Sequence, residues 1–252
     1  MLFESKRVAH GYGRHRPQLQ TDVVRYISKD LGLSRQLESA LDVGCGTGLS
    51  TAPLLGIAAS VVGADPSYAM IFEAQPQSSV HYCVATAEAL PFASKSFDLI
   101  TVSGAYDWID ADLFLPAAQA LLREGGWLVI YDGGETGIMV DRPSFKTWYQ
   151  GSYLTRYPKP SRRKPTMGSA IATSNGFVFE RSRNYTIDMP FTLEAYVAFA
   201  MTQSMITFAI EQRQEDSISI SNWLRRACTA FFLSHSETVV FEGYIWYLRN
   251  GT

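Results

Sequence analysis

The 252-residue chain has only three cysteines, Cys45, Cys83 and Cys228, far apart and with no CxxC pair among them. That spacing excludes a disulfide framework and, with four histidines at no ligand spacing, a structural zinc centre; no metal is expected. An excess of charge of either sign is also lacking. The 22 Lys and Arg stand against 24 Asp and Glu, a formal net charge of −2, so nothing draws the whole chain to nucleic acid or an anionic membrane, and neither partner is expected. Long apolar runs are missing as well: no stretch reaches the roughly 18 uncharged apolar residues of a membrane span, and the opening MLFESKRVAHGYGRHRP has no signal-peptide core. A soluble protein in a reducing, cytoplasmic setting is the expectation, as a monomer or homodimer. What is present is ordinary globular composition, 46% hydrophobic and 18% charged, enough to bury a core.

Short apolar runs alternate with helical periods through the first half. Leu19, Val23, Val24, Ile27 and Leu31 predict a helix over 18–31, followed by strands at Ser39–Val43, Ser60–Ala64, Val80–Ala85, Phe97–Ser103 and Trp127–Tyr131. Helices are expected near Leu49–Leu55, Tyr68–Glu73 and Leu113–Arg123. Strand, helix, strand at short intervals predicts an α/β fold with a mostly parallel sheet. After Asp132 the period is lost, and residues 132–165 read as a loop-rich insertion. The basic cluster within it, Arg156–Pro165, carries five Lys or Arg in ten positions and reads as a solvated loop. Beyond it come a short helix around Met167–Asn175, strand over FVFERSRNYTIDM, and helices at Phe191–Ile210, with Thr192 as N-cap, and Ser217–Leu233. TVVFEGYIWYLRN forms a long final strand.

The densest chemical signal is LDVGCGTGLS, which follows the first strand. Gly44, Gly46 and Gly48 give G-x-G-x-G, with Leu49 where the third glycine of a dinucleotide fingerprint would fall, and no Lys-Ser or Lys-Thr closes a P-loop. A loop that approaches its ligand closely without a phosphate suits S-adenosylmethionine. Loop and helix-start amides would meet its carboxylate, and Asp42 with nearby carbonyls its ammonium. Asp65 ends the next strand, where a carboxylate accepts from ribose hydroxyls, and DPSYAM then opens a helix that places Met70 toward the ribose or adenine.

The run DVGCGTG, DPSYAM, AEALPF, SFDLI and LLREGGWLVIY, in this order over residues 40–131, resembles the class I S-adenosylmethionine-dependent methyltransferases. The resemblance implies a Rossmann-like, seven-stranded, mostly parallel sheet with helices on both faces and one antiparallel strand near the C-terminus. It implies a single domain over residues 1–252, with insertions at 132–165 and 190–235 forming, with the N-terminus, a lid over the acceptor site. It also implies S-adenosylmethionine as cofactor, held by Asp42, Gly44, Gly46, Gly48, Asp65, Pro66, Met70, Thr86, Ala87 and Ser103. The segment YGRHRP, the aromatic-acidic run after the fourth strand and the late insertions are similar to the small-molecule branch that includes trans-aconitate methyltransferases. That branch adds Tyr12 and Arg16 to the cofactor residues, and it carries His where this chain has Asp107, so the reaction class and not the substrate carries over.

Methyl transfer from a sulfonium is an in-line displacement in which positioning supplies much of the effect and a base is optional. A hydroxyl or amine acceptor would use Asp107, His15 or His10, with Tyr106 alongside, and oxygen or carboxyl methylation of a small molecule is the favoured reading. Tyr12, Tyr106, Trp108, Trp148 and Tyr149 are candidate walls of the acceptor site; packed core is the competing role for the tryptophans. Cys45 reads as a small packing residue. Two further readings stay open: a non-catalytic cofactor-binding protein of the same fold, and a dinucleotide-dependent oxidoreductase.

Overall fold

A computed structural model describes residues 5–161, 166–212 and 214–251. Residues 162–165 of the basic cluster lie outside them. Seven strands, β1 (Leu37–Val43), β2 (Ala58–Asp65), β3 (Val80–Val84), β4 (Phe97–Ser103), β5 (Leu122–Met139), β6 (Phe177–Phe191) and β7 (Glu237–Asn250), form one sheet in the order β3-β2-β1-β4-β5-β7-β6. The pairs β1–β2, β1–β4, β2–β3 and β4–β5 are parallel. Thr136 contacts Val240 and Val140 contacts Thr238, so β7 runs antiparallel to β5. Ala40, Leu41, Asp42 and Val43 are all buried, the unbroken burial of a parallel strand covered on both faces. Strand order reverses between β1 and β4, and open α/β sheets bind ligands outside the carboxyl ends of strands at such a point.

By its contacts the chain divides into two compact units. The glycine-loop unit takes its described residues from Gln18–Gly133, Arg162–Tyr185 and Gly243–Thr252; the aromatic unit takes its own from Met1–Pro17, Gly134–Ser161 and Thr186–Glu242. In the glycine-loop unit, Leu41, Ile100, Val102, Leu128 and Ile130 pack with Phe114, Leu115 and Ala118 of α4 (Ala111–Leu121). Its helix α2 (Gln20–Asp30) buries Val23, Val24 and Ile27, as their spacing predicts. In the aromatic unit, Phe145, Tyr149, Tyr153, Tyr196, Phe199 and Phe241 are buried together. Burial of that much ring area is the main stabilising contribution there.

Several elements differ from the expectation. The helix expected at Leu49–Leu55 is a 3-10 turn over Ala52–Gly56: Pro53 stands at its start, and the Ser50 and Thr51 hydroxyls donate to Asp42 instead of letting the chain coil regularly. The strand expected to end at Tyr131 runs on to Met139, so the first part of the 132–165 insertion is sheet, and α5 (Pro143–Trp148), a π-turn (Tyr149–Tyr153) and α6 (Leu154–Arg156) follow, with α7 (Ser169–Ser174) inside the short helix expected around Met167–Asn175. The helix expected over Phe191–Ile210 is two, α8 (Leu193–Ala200) and α9 (Ser204–Glu211), bent by 60° where the Thr202 hydroxyl donates back to the Phe199 carbonyl. Thr192 caps α8 as expected, accepting from the Ala195 amide. The helix expected to reach Leu233 ends at Cys228 as α10 (Ser217–Cys228). An unforeseen helix, α1 (Lys6–His15), opens on Ser5, whose hydroxyl accepts from the Val8 amide. Among the described residues no single helix is long and apolar enough to cross a membrane; the bent pair α8–α9 passes only by length and composition.

Candidate functional site

β1 delivers the glycine loop at its carboxyl end. Gly44, Gly46 and Gly48 have φ of +70°, +54° and +81°, the left-handed region that disfavours a side chain. A Cβ on Gly44 would stand 2.4 Å from Cβ of Ala105, and one on Gly48 2.2 Å from the Tyr82 hydroxyl. A Cβ on Gly46 would meet nothing within 4 Å. Packing therefore demands the outer two glycines, while the middle one faces open space.

Two carboxylates set the loop. Asp42 is fully buried; its Oδ1 accepts from Thr101 at 2.8 Å and its Oδ2 from Ser50 at 2.7 Å and Thr51 at 2.8 Å. Burial pushes its carboxyl up to about 6, against the three hydroxyls that favour the charge. Asp42, expected at the cofactor's ammonium, is thus committed to holding the loop on β1 and β4. Asp65 accepts from the Gly46 amide at 2.9 Å and the Ser67 amide at 2.8 Å; burial raises its pKa while those amides lower it. The Gly44 and Cys45 amides go to the Ala64 carbonyl and the Gly48 amide to Cys45, so four loop amides expected at a ligand carboxylate bond within the protein. Thr47, which sequence reasoning passed over, has a buried hydroxyl with no partner among the described residues. Cys45 is buried, with its thiol pushed well up by burial and by the Asp42 and Asp65 charges, which leaves it inert.

Residues 41–130 match the family model described as a methyltransferase domain. This segment is thus similar to methyltransferase domains. Among curated relatives, the chain is 32% identical over 127 residues to a Dictyostelium discoideum protein assigned as a methyltransferase, covering 50% of this chain and 48% of that one. It is 33% identical over 120 residues to the ubiquinone biosynthesis O-methyltransferase of Brucella ovis, covering 44% and 48%. The chain thus spans about half the length of the curated relatives it matches. Two solved structures share the fold. An Anaeromyxobacter dehalogenans protein assigned as a type II methyltransferase has a TM-score of 0.68 at 19% identity over 91% of this chain and 95% of that one. YcgJ of Bacillus subtilis has 0.56 at 16% identity over 94% and 100%.

The glycine-loop unit places the other expected residues around the strand ends. Pro66 follows Asp65, and Met70 is buried in α3 (Tyr68–Glu73), capped by Ser67. Thr86 is exposed and Ala87 buried in the turn after β3. Ser103 ends β4 opposite Tyr131. Tyr106, Asp107 and Trp108 form a 3-10 turn. Tyr106 is buried edge-on to Phe114 and Trp246, with its phenol pushed up to about 12 by burial, while Trp108 is 46% exposed and Asp107 half-buried. Asp132, given no site role from the sequence, has its Oδ1 3.3 Å from where a Gly104 Cβ would stand.

The remaining expected residues belong to the aromatic unit. Arg16 lies over the Tyr12 ring at 4.6 Å, and its Nη2 donates to the Thr202 carbonyl at 3.1 Å. His15 is exposed, beside a pocket of about 190 Å³ lined by Arg7, Gly11, Met201, Thr202 and Ser217. His10 is exposed on the same helix. Trp148 stacks on Tyr153 and Trp223, and the Tyr149 ring fills the place a Gly137 Cβ would take, 2.3 Å away, so both are packed into the unit's aromatic interior. Glu135, also missed from sequence, accepts from the Tyr196 hydroxyl at 2.6 Å. Burial pushes it up to about 7, against that hydrogen bond and the charges of Lys159 and Arg16.

Proposed function

We propose that the chain transfers a methyl group from S-adenosylmethionine to a small-molecule acceptor, with the donor held by the glycine loop. The observation that carries this is the loop itself: three left-handed glycines, open space at Gly46 and, beside it, a buried Thr47 hydroxyl with no partner among the described residues. That set fits an amino-acid tail that must come close to backbone and find a donor for its carboxylate. In this reading the Thr47 hydroxyl holds the carboxylate, and the free lone pairs of Asp65 take the ribose hydroxyls. Pro66, Met70, Thr86 and Ala87 border the adenine, and Ser103 the methionine portion. When bound, the cofactor supplies an electrophilic methyl on a cationic sulfur. Tyr106 and Trp108 would exclude water, and Asp107 is the candidate to accept a proton where the acceptor carries one. The Brucella relatives are O-methyltransferases by name, which supports an oxygen acceptor.

The test is turnover. Full-length protein with S-adenosylmethionine is offered phenols, carboxylic acids and amines, and S-adenosylhomocysteine and methylated product are measured by mass spectrometry. Product with at least one acceptor, reduced in Asp107→Asn, is expected. Cofactor binding without product from any acceptor would favour a non-catalytic binding protein.

A further inference from the structure

Three buried polar atoms of the aromatic unit have no hydrogen-bond partner among the described residues: Glu135 Oε2, the Tyr153 hydroxyl and Arg16 Nε. They lie in one neighbourhood. Phe199 lies 5.7 Å from the Arg16 guanidinium carbon and 6.2 Å from the ring of Tyr196, which donates to Glu135; Phe145 joins Tyr196 to Tyr149, and Tyr149 packs on Tyr153 at 5.3 Å. A buried donor or acceptor left unmade is costly, and native interiors leave few without water or a ligand. Three together call for a molecule that completes them.

Their other contacts keep them from completing themselves. Tyr196 occupies Glu135 Oε1, which leaves Oε2 as the free acceptor. Arg16 is held by the Thr202 carbonyl and by the Tyr12 and Phe199 rings, its guanidinium carbon 4.6 Å and 5.7 Å from the ring centres, so Nε is presented in a fixed direction. Tyr153 is fully buried and stacked on Trp148 at 5.6 Å.

The set therefore offers one acceptor, one cationic donor and one phenol that serves as either. A carboxylate would satisfy the two donors and set its charge against Glu135. An ammonium would satisfy Glu135 and stand beside Arg16, with Lys159 adding further positive charge. A hydroxyl donates to Glu135 and accepts from Arg16 while adding no charge. The surrounding side chains, Phe145, Trp148, Tyr149, Tyr196 and Phe199, are aromatic and favour a flat ring.

We propose that the aromatic unit carries a binding site for the hydroxyl group of a phenol, with Glu135 as its hydrogen-bond acceptor and Arg16 and Tyr153 completing it. As the identity of the methyl acceptor this rests on the methyltransferase reading; as a binding site it is measured without the donor. Burial has brought Glu135 up to about 7, and a donating hydroxyl favours its ionised form, so binding should lower that value.

Calorimetry on the full-length protein at pH 8 decides, with catechol as probe, benzoate and benzylamine as comparisons, and S-adenosylhomocysteine titrated in parallel. Saturable catechol binding is expected, stronger than either comparison and weakened about tenfold in Glu135→Gln, as loss of a hydrogen bond to a charged group implies. Tyr153→Phe, which keeps the ring, should weaken it several-fold, and both variants should bind S-adenosylhomocysteine as the wild type does. Tighter binding of benzoate or benzylamine, or catechol affinity unchanged in both variants, would overturn the site. So would absence of saturable catechol binding by a protein that binds S-adenosylhomocysteine. Catechol binding without S-adenosylhomocysteine binding would leave the site standing and remove the methyltransferase reading.

Discussion

Replacing Thr101 with valine probes the carboxylate on which the glycine loop rests. Thr101 is fully buried in β4, in register with Asp42, and its hydroxyl is the donor to Asp42 Oδ1; the other oxygen has Ser50 and Thr51. Valine keeps the branched shape, so the change is close to removal of one hydrogen bond. A bond to an ionised group contributes about 1.5–3 kcal/mol and a neutral one about 1 kcal/mol. With burial having pushed Asp42 up to about 6, the wild-type carboxyl is ionised at pH 8 and mostly protonated at pH 5. The variant should lose about 2 kcal/mol at pH 8 and about 1 kcal/mol at pH 5. The direction follows from proton binding. Asp42 is raised above its unfolded value near 3.9, so between about pH 4 and pH 6 the native state holds more protons than the unfolded state, and stability from this group falls as pH rises. Loss of the Thr101 donor raises the folded value further, so the fall continues above pH 6. Urea unfolding followed by tryptophan fluorescence at both pH values measures the difference. An equal loss at the two, or a greater loss at pH 5, would refute this account of Asp42.

Two further outcomes follow from the same unit. Gly46→Arg should abolish S-adenosylhomocysteine binding in calorimetry because its side chain enters the open space beside the loop; unchanged affinity would mean the ligand lies elsewhere. Arg183→Met should cost about 2 kcal/mol at pH 7, below the 3–5 kcal/mol of a fully buried pair because Arg183 keeps 35% exposure. Although burial raises Asp30, hydrogen bonds from Arg183 and Tyr247 hold its carboxyl below the usual value, so the stability they contribute is present above about pH 4 and lost as pH falls through the lowered value. The loss should therefore shrink between pH 7 and pH 3, as read from denaturant midpoints.

The parallel half of the fold was legible because its strands are buried on both faces, and runs such as SALDV and FDLITVS show that burial directly. The glycine pattern was legible for a related reason: each of the three glycines sits where the backbone turns left-handed. What the pattern hid was the use of polar groups. Asp42 reads as a ligand carboxylate until Ser50, Thr51 and Thr101 are seen to take it, two of them from a segment whose apolar period suggested a helix. In the second half, GGETG reads as the start of a loop-rich insertion, yet β5 continues through it, with the Thr136 hydroxyl donating to the Val240 carbonyl 104 residues away. Gly137 is there to admit the Tyr149 ring and not to end the strand. Glu135 was invisible for the same reason: a lone acid among glycines signals a loop, and only long-range folding places Tyr196 on it.

The central claim is that the loop from Asp42 to Gly48 holds S-adenosylmethionine. The most direct measurement is calorimetric titration of the folded wild-type chain with S-adenosylhomocysteine, the demethylated cofactor, with a reduced nicotinamide dinucleotide as comparison. Micromolar binding at one site, with no heat from the dinucleotide, is the predicted result. A folded protein that gives no heat with S-adenosylhomocysteine, or that binds the dinucleotide instead, would contradict it.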